Sequence, residues 1–183
     1  MKKVTNYLAA ALVAVTILFI GSSAKAQTTP ATSPNPNPWR LGFGIEGGIP
    51  TGDAHPSSGF ELGGSARLQF DATSNFAVML TSGYNNFFIK DDYRAPGDPS
   101  SLGIVPVKLG VKYFFVPGIY VAGEAGAGFE TNDPVKNNTK LILSPALGWA
   151  NEHWDIGVNY TNYSGQSDNY GSVGLRVAYG FGL

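Results

Sequence analysis

Few side chains of this sequence are suited to acid–base or nucleophilic chemistry. It has two histidines, His55 and His153, and no cysteine, so the common zinc ligands are scarce. His55 precedes Pro56 and Ser57, with Asp53 nearby, which are the residue types of a nucleophile and its base. Neighbouring positions along a chain do not set that geometry, and a proline-containing loop is the simpler interpretation.

Two other patterns resemble ligand-binding motifs. Gly42 to Gly47 reads GFGIEG, the spacing of a dinucleotide-binding loop, but that motif requires a following helix in a βαβ unit and the sequence predicts none. Asp91, Asp92 and Asp98 could attract a divalent cation, although a solvated acidic loop is the ordinary explanation. We therefore predict no catalytic residue, no cofactor and no metal site.

The first 26 residues have the layout of a secretory signal peptide. Lys2 and Lys3 precede an apolar stretch from Leu8 to Ile20, and small residues follow from Ser22 to Ala26. The apolar stretch is shorter than the roughly 20 residues of a transmembrane helix. We expect cleavage before Gln27, and a disordered leader rich in Pro, Thr and Asn over residues 27–38.

Charge and composition exclude several classes of protein. Three of the twelve basic residues lie in the signal peptide, which leaves nine against thirteen acidic residues, so no nucleic-acid partner is expected. Only 14% of residues are charged, against about 25% in soluble domains. Without cysteine, stability must come from backbone pairing and packing.

From residue 39 to 183 the apolar residues repeat every second position, which predicts one all-β domain. Eight strands are indicated, at Trp39–Ile49, Phe60–Phe70, Phe76–Phe88, Gly103–Phe115, Ile119–Glu130, Leu141–Trp149, Trp154–Tyr160 and Val173–Leu183. Three connections are short. The other four are longer, namely Pro50–Ser58, Ile89–Ser101, Asn132–Lys140 and Ser164–Tyr170. This alternation predicts an eight-stranded antiparallel up-and-down transmembrane barrel.

The two faces of the predicted strands differ in a way that indicates which one lies inside. The apolar face carries aromatic residues near the strand ends, the pattern of an interfacial girdle, and His153 lies beside two of them in a short turn. The other face combines many glycines with charged residues, which suits a narrow interior. The charged residues predicted to line the lumen as a polar network are Arg40, Glu46, Glu61, Arg67, Lys108, Lys112, Glu124, Glu130, Asp155 and Arg176.

Three segments carry a family resemblance. They are Val107–Phe114 before a tight turn, Tyr120–Phe129 after it, and Gly174–Leu183 at the end. Over residues 39–183 the sequence resembles the small outer-membrane β-barrels of Gram-negative bacteria, of the OmpX-like and OmpA-transmembrane-domain-like kinds. The resemblance implies location in the outer membrane, contact with its lipid and lipopolysaccharide, and insertion by the barrel-assembly machinery.

Three functional hypotheses follow. The first is a non-enzymatic barrel with a filled lumen, whose loops support the envelope or contact other surfaces. The second is a lipid-modifying enzyme, because His55 to Ser57 resembles the His-x-Ser of outer-membrane lipid A deacylases. The third is a soluble, secreted lipocalin-like binder, in which the apolar face would point inward. The loop partner, the oligomeric state and the ion pairing within the lumen are left open.

Overall fold

The computed structural model describes residues 38–52, 54–93, 99–131, 139–165 and 168–183. The expected signal peptide, residues 27–37 of the leader, Asp53 and Asp98 lie outside the described residues.

Eight antiparallel strands form a closed barrel in which each strand pairs with its neighbours in sequence. The strands are β1 (Trp39–Gly52), β2 (Ser58–Asp71), β3 (Phe76–Ile89), β4 (Ser101–Val116), β5 (Ile119–Glu130), β6 (Thr139–Ala150), β7 (Trp154–Gly165) and β8 (Asp168–Gly182). A single 3-10 turn, Asp91–Tyr93, is the helical element in the described ranges, and none of these residues forms a helix long and apolar enough to cross a membrane. The all-β prediction is confirmed.

Pairing of the first and last strands closes the barrel. Their register runs from Arg40 opposite Gly182 to Gly52 opposite Tyr170. Closure satisfies the backbone N–H and C=O groups that two edge strands would expose. The end with the connections 72–75, 117–118 and 151–153 is called the turn end below, and the opposite end is called the loop end.

The large apolar side chains point away from the barrel axis. Ile45 is 67% exposed and Leu109 62% exposed, whereas Lys112 is 1% exposed. A soluble lipocalin-like barrel would have the reverse orientation, with apolar residues around a central cavity. The observed arrangement is inside-out, as the small and charged residues of the polar face predicted.

Aromatic residues form a dense belt on the outer surface at the turn end. Rings from adjacent strands contact each other there: the centroids of Trp39 and Phe70 are 4.9 Å apart, and those of Trp154 and Tyr179 are 5.4 Å apart. At the loop end, Phe60 and Phe88 stack at 4.6 Å. Amphipathic and aromatic rings prefer the level of the lipid headgroups, so both ends carry the kind of residue found at a membrane interface.

Strands β7 and β8 extend further than the sequence indicated. The segment Ser164–Tyr170 was expected to be a longer loop, but β7 and β8 stay paired up to Gly165 opposite Asp168. The reason lies in the interior, where the rings of Tyr163 and Tyr170 stack at 5.1 Å and are both buried. Ser, Gly and Asn around these tyrosines gave the segment the composition of a loop, although the two strands pair as far as Gly165 and Asp168.

Two prolines interrupt the ladder inside the wall. The β6–β7 register passes from Leu143 opposite Asn162 to Ala146 opposite Asn159, and the gap contains Pro145. The β3–β4 register has a similar gap at Pro106. Proline has no backbone N–H and cannot donate to the neighbouring strand. Both gaps are therefore local consequences of the sequence.

Candidate functional site

The strongest candidate site is the network of charged side chains inside the barrel. Alternation along each strand sends every second side chain inward. Lys108 and Lys112 therefore share the inner face of β4, about 14 Å apart along the strand. Seven of the predicted lumenal residues, drawn from six strands, enter the network of buried ion pairs, namely Glu46, Arg67, Lys108, Lys112, Glu124, Asp155 and Arg176.

Arg67 lies at the centre of this network. Its two terminal nitrogens lie 3.1 Å from Glu124 Oε2 and 3.4 Å from Asp155 Oδ2. Its Nε donates a hydrogen bond of 3.0 Å to Thr81 Oγ1, and the Thr81 hydroxyl donates to Glu124 Oε1 at 2.5 Å. One side chain on β2 thus connects strands β3, β5 and β7.

Two lysines of β4 pair with the same carboxylates. Lys108 Nζ lies 3.4 Å from Glu124, and Lys112 Nζ lies 2.7 Å from Asp155. Asp155 also accepts a hydrogen bond of 2.6 Å from the hydroxyl of Tyr120, and Lys112 Nζ lies 4.2 Å from the centroid of that ring. Each carboxylate therefore has several cationic or hydroxyl partners, which offset the cost of removing its charge from water.

Arg176 on β8 completes the network, but it is less fully paired. Its Nε lies 3.3 Å from Glu46 Oε1 and donates to Ser65 Oγ at 3.3 Å. Ser65 in turn donates to Glu46 at 2.7 Å. One terminal nitrogen of Arg176 lies 3.6 Å from Asp155, within ion-pair distance, yet neither terminal nitrogen has a hydrogen-bond partner in the described part of the chain.

The structure places three of the predicted lumenal residues outside the ion-paired group. Buried Glu61 accepts a hydrogen bond of 2.6 Å from Asn85, with the Tyr163 hydroxyl 3.5 Å away. Glu130 accepts one of 2.9 Å from the hydroxyl of Tyr170. Arg40 lies at the turn end, where it donates to the backbone carbonyls of Asn151 and Glu152.

A second layer of the interior was missed in the sequence. Phe87, Ile104, Ile142, Tyr163 and Tyr170 form a buried cluster toward the loop end, which we call the apolar plug. The ring of Phe87 meets those of Tyr163 and Tyr170 edge to face, at 5.6 and 5.7 Å. The sequence signal for the plug is two large apolar residues in a row, such as Phe87 with Phe88 and Ile104 with Val105. Successive side chains of a strand point to opposite faces, so one member of each pair must point inward.

Lys140 was also missed. It is buried on β6, where its Nζ donates to the carbonyl of Gly165 at 3.2 Å and lies 5.5 Å from the centroid of Tyr170. The sequence contains a weak signal for its inward position. Lys140 lies directly before the apolar run of β6 and two residues before Ile142, so the alternation of the strand places both side chains on the same, inner face. Lys140 falls within a predicted loop, whereas the strand begins at Thr139, two positions before Leu141.

Packing leaves little empty space around the network. A cavity of about 30 Å³ lies at the turn end beside Arg40, Lys112 and Asp155, and one of about 20 Å³ lies beside Lys108, Glu124 and Asn159. Spaces of this size hold one or a few water molecules. The interior of the described barrel is thus filled by its own side chains.

The residues that resembled catalytic or nucleotide-binding motifs in the sequence make local contacts in the loop and the strand to which they belong. The ring of His55 lies 3.1 Å from the carbonyl of Pro50, and Ser57 donates to the carbonyl of Ala54 at 3.3 Å. Gly42 to Gly47 lies within β1, which pairs with β2 and β8. Within the described ranges, no three His, Asp or Glu side chains are grouped closely enough to hold a metal ion.

Comparison with known proteins bears on the fold. The sequence matches no protein-family model and no curated protein significantly. Ail, the attachment invasion locus protein of Yersinia pestis, aligns with a TM-score of 0.58 and 14% identity over 78% of this chain and 97% of that chain. Its backbone structure in a phospholipid bilayer nanodisc gives 0.52 and 13%, over 76% and 99%. The N-terminal β-barrel domain of Pseudomonas aeruginosa OprF gives 0.52 and 16%, over 78% and 97%. The chain thus has the fold of the small eight-stranded outer-membrane β-barrels.

Proposed function

We propose that this protein is a non-enzymatic barrel of the outer membrane of a Gram-negative bacterium, with a filled lumen and with loops that contact the cell's surroundings. The observation that carries the proposal is the inside-out distribution of side chains. Exposed Leu, Ile, Val and aromatic residues cover the outer wall, while paired charges occupy the interior. In water such a surface would aggregate, whereas in hydrocarbon it is favourable.

Backbone pairing supports the same environment. Hydrocarbon offers no partner for a free N–H or C=O group, so among sheets only a closed barrel is stable there. The strands of this protein are 12 to 16 residues long, more than the 9 to 11 or so that a tilted strand needs to cross a bilayer. The similarly folded Ail has a backbone structure in a phospholipid bilayer nanodisc.

The filled interior favours a structural or surface-contact role over transport. A solute entering from the loop end would meet the apolar plug and then the ion pairs around Arg67. Eight-stranded barrels of this kind are wide enough for side chains but leave no aqueous channel like that of the larger porins. The proposed partners are outer-membrane lipid and lipopolysaccharide around the wall, the barrel-assembly machinery during insertion, and a surface partner at the loops.

Cell fractionation combined with gel mobility tests the location. We expect the protein in the outer-membrane fraction, with an unheated sample migrating differently from a boiled one because the closed barrel resists detergent. A periplasmic marker protein and a known outer-membrane protein are the controls. Recovery of the protein in the periplasmic supernatant would contradict the proposal.

A separate measurement tests the enzymatic alternative. Mass spectra of lipid A from cells with and without the protein are expected to be identical, and cells producing the Ser57→Ala variant should match the wild type. Loss of an acyl chain that depends on Ser57 would establish the lipid-modifying activity instead. Assays of envelope permeability and of adhesion in a deletion strain would then define the surface role.

A further inference from the structure

The lining of the cavity at the turn end contains more positive charge than the ion pairs neutralise. Its charged lining consists of Arg40, Arg67, Lys112, Arg176 and Asp155, so four cations meet one carboxylate. Its other polar lining residues carry no formal negative charge; they are Gln69, Asn151, His153 and Tyr179. We call this space, of about 30 Å³, the turn-end cavity.

The single carboxylate of Asp155 contacts three of these cations and a tyrosine hydroxyl, so its one negative charge does not neutralise them. Its Oδ2 lies 2.7 Å from Lys112, 3.4 Å from Arg67 and 3.6 Å from Arg176, and its Oδ1 accepts the hydroxyl of Tyr120. Among the described residues, the ion-paired network joins four cations, Arg67, Lys108, Lys112 and Arg176, to only three carboxylates, those of Glu46, Glu124 and Asp155. Glu61 is a further buried carboxylate, but Asn85 and Tyr163 bind it toward the loop end.

Arg176 has two donors without acceptors at this position. Its side chain is 7% exposed, and both terminal nitrogens lack a hydrogen-bond partner among the described residues. A buried cationic donor without an acceptor loses the hydration it had in water. Arg176 lines both the turn-end cavity and the smaller cavity beside Glu124, and its guanidinium runs along the backbone of Gly44, which has no side chain.

We propose that the turn-end cavity binds one small monovalent anion of the halide class, with chloride as the physiological occupant. The terminal nitrogens of Arg176 donate to it, and the charges of Arg67, Arg40 and Lys112 add to the attraction. A space that holds one or a few water molecules accommodates a single halide ion in their place. Sulfate and phosphate, with four oxygens around a central atom, need more space than a halide ion.

Bromide provides a direct probe of the site. Crystals of the refolded full-length barrel, grown or soaked in sodium bromide and measured at the bromine absorption edge, should show an anomalous peak beside the terminal nitrogens of Arg176. A cavity that holds only water would show no peak there, and this result would overturn the proposal. Peaks confined to the outer surface or the loops would overturn it equally.

Gly42 allows the cavity to be filled without changing a charge. A Cβ at Gly42 would meet backbone atoms of Tyr179 and Gly180 at 3.5 to 4.0 Å, which is ordinary contact. The Gly42→Val variant should therefore fold and lose the bromide peak. Gly180→Ala fills the same cavity with contacts of 3.5 Å or more and replaces it if valine prevents folding. The control is Gly123→Val on the outer wall, where a Cβ meets nothing within 4 Å.

Unfolding equilibria give a second readout. For wild type and Gly123→Val, bromide at 100 times its dissociation constant should raise the ratio of folded to unfolded protein about 100-fold over gluconate at equal ionic strength. Gly42→Val should show no difference between the two salts. Equal midpoints in bromide and gluconate for the wild type, or an undiminished effect in Gly42→Val, would contradict an anion at this position.

Discussion

Arg67 shows how much depends on a single side chain in this interior. It pairs with Glu124 and Asp155, which lie on two strands that are not its neighbours in the sheet. Such a pair adds little free energy compared with an apolar core, because desolvation of the charges offsets their attraction. Loss of one partner is costly, however, because the other charge remains buried.

Replacement of Arg67 by methionine should lower the free energy of unfolding by about 3 to 5 kcal/mol, since Glu124 and Asp155 then lose a shared cation. Urea unfolding in detergent micelles or lipid vesicles measures the change. The control is Lys90→Met on an exposed residue next to the 3-10 turn, which should change stability by less than about 0.5 kcal/mol. Equal effects of the two substitutions would show that the network does not stabilise the barrel.

A substitution at Leu143 tests the prediction that this side chain faces lipid near the middle of the barrel wall. The Leu143→Arg substitution should cost about 2 to 4 kcal/mol in lipid vesicles, because an isolated charge enters hydrocarbon. Thr139→Arg is the matched control, since Thr139 begins β6 at the loop end and points the same way. There the cost should fall to about 0 to 1 kcal/mol. A cost independent of position along β6 would contradict the outward assignment.

A substitution at Ser144, the neighbour of Leu143, tests the prediction that this side chain points into the filled interior. It is buried, and its hydroxyl lies 2.8 Å from that of Thr161. Arginine at this position should destabilise the barrel in detergent and in lipid alike, because its limit is space inside the wall rather than contact with lipid. Unimpaired folding of Ser144→Arg would show that the interior is less tightly filled than the structure indicates.

At the scale of the strand, Pro145 and Pro117 have opposite roles. Pro145 interrupts the β6–β7 ladder, whereas Pro117 forms a two-residue turn with Gly118, whose φ is +80°. Proline followed by glycine with positive φ is the preferred sequence of a type II turn. The same residue type is thus unfavourable in the wall and favourable in the turn.

Pro145→Ala should raise the free energy of unfolding by about 0.5 to 1.5 kcal/mol, because it restores a backbone donor facing β7. Pro117→Ala should lower it by about 0.4 to 1 kcal/mol, because the unfolded chain gains freedom. Urea unfolding of the two variants gives the sign, and hydrogen exchange at the backbone amide that Pro145→Ala introduces shows whether the bond forms. A destabilised Pro145→Ala variant in which this amide exchanges rapidly would contradict this explanation of the gap.

At the scale of the whole molecule, stability rests on closure by β1 and β8. Removal of residues 173–183 would delete most of β8 and leave β1 and β7 with unpaired edges, which hydrocarbon does not tolerate. The truncated protein should give no heat-dependent mobility shift after refolding in lipid. Removal of Leu183 alone, which follows the last residue of β8, is the control and should preserve the shift.

The outward pattern of the strands could be predicted because it depends on alternation alone. Residues such as Ile45 and Leu109 are exposed on the wall as the period of two indicated. Strand ends were less predictable, since the pairing of Gly165 with Asp168 depends on tyrosines that stack inside the barrel. The apolar plug escaped prediction for a similar reason, because Phe87 and Ile104 pack against residues distant in sequence.

By itself, the sequence determined the number of strands, their antiparallel order and the outward position of the large apolar side chains, since these follow from local periodicity and short connections. Tertiary structure decided which charges meet. Glu124 and Asp155 share Arg67, and Glu61 is bound by Asn85, because closure and stagger set which inward positions lie at the same height. Register around a closed barrel is a property of all eight strands together, so no single segment specifies the partners of its charged residues.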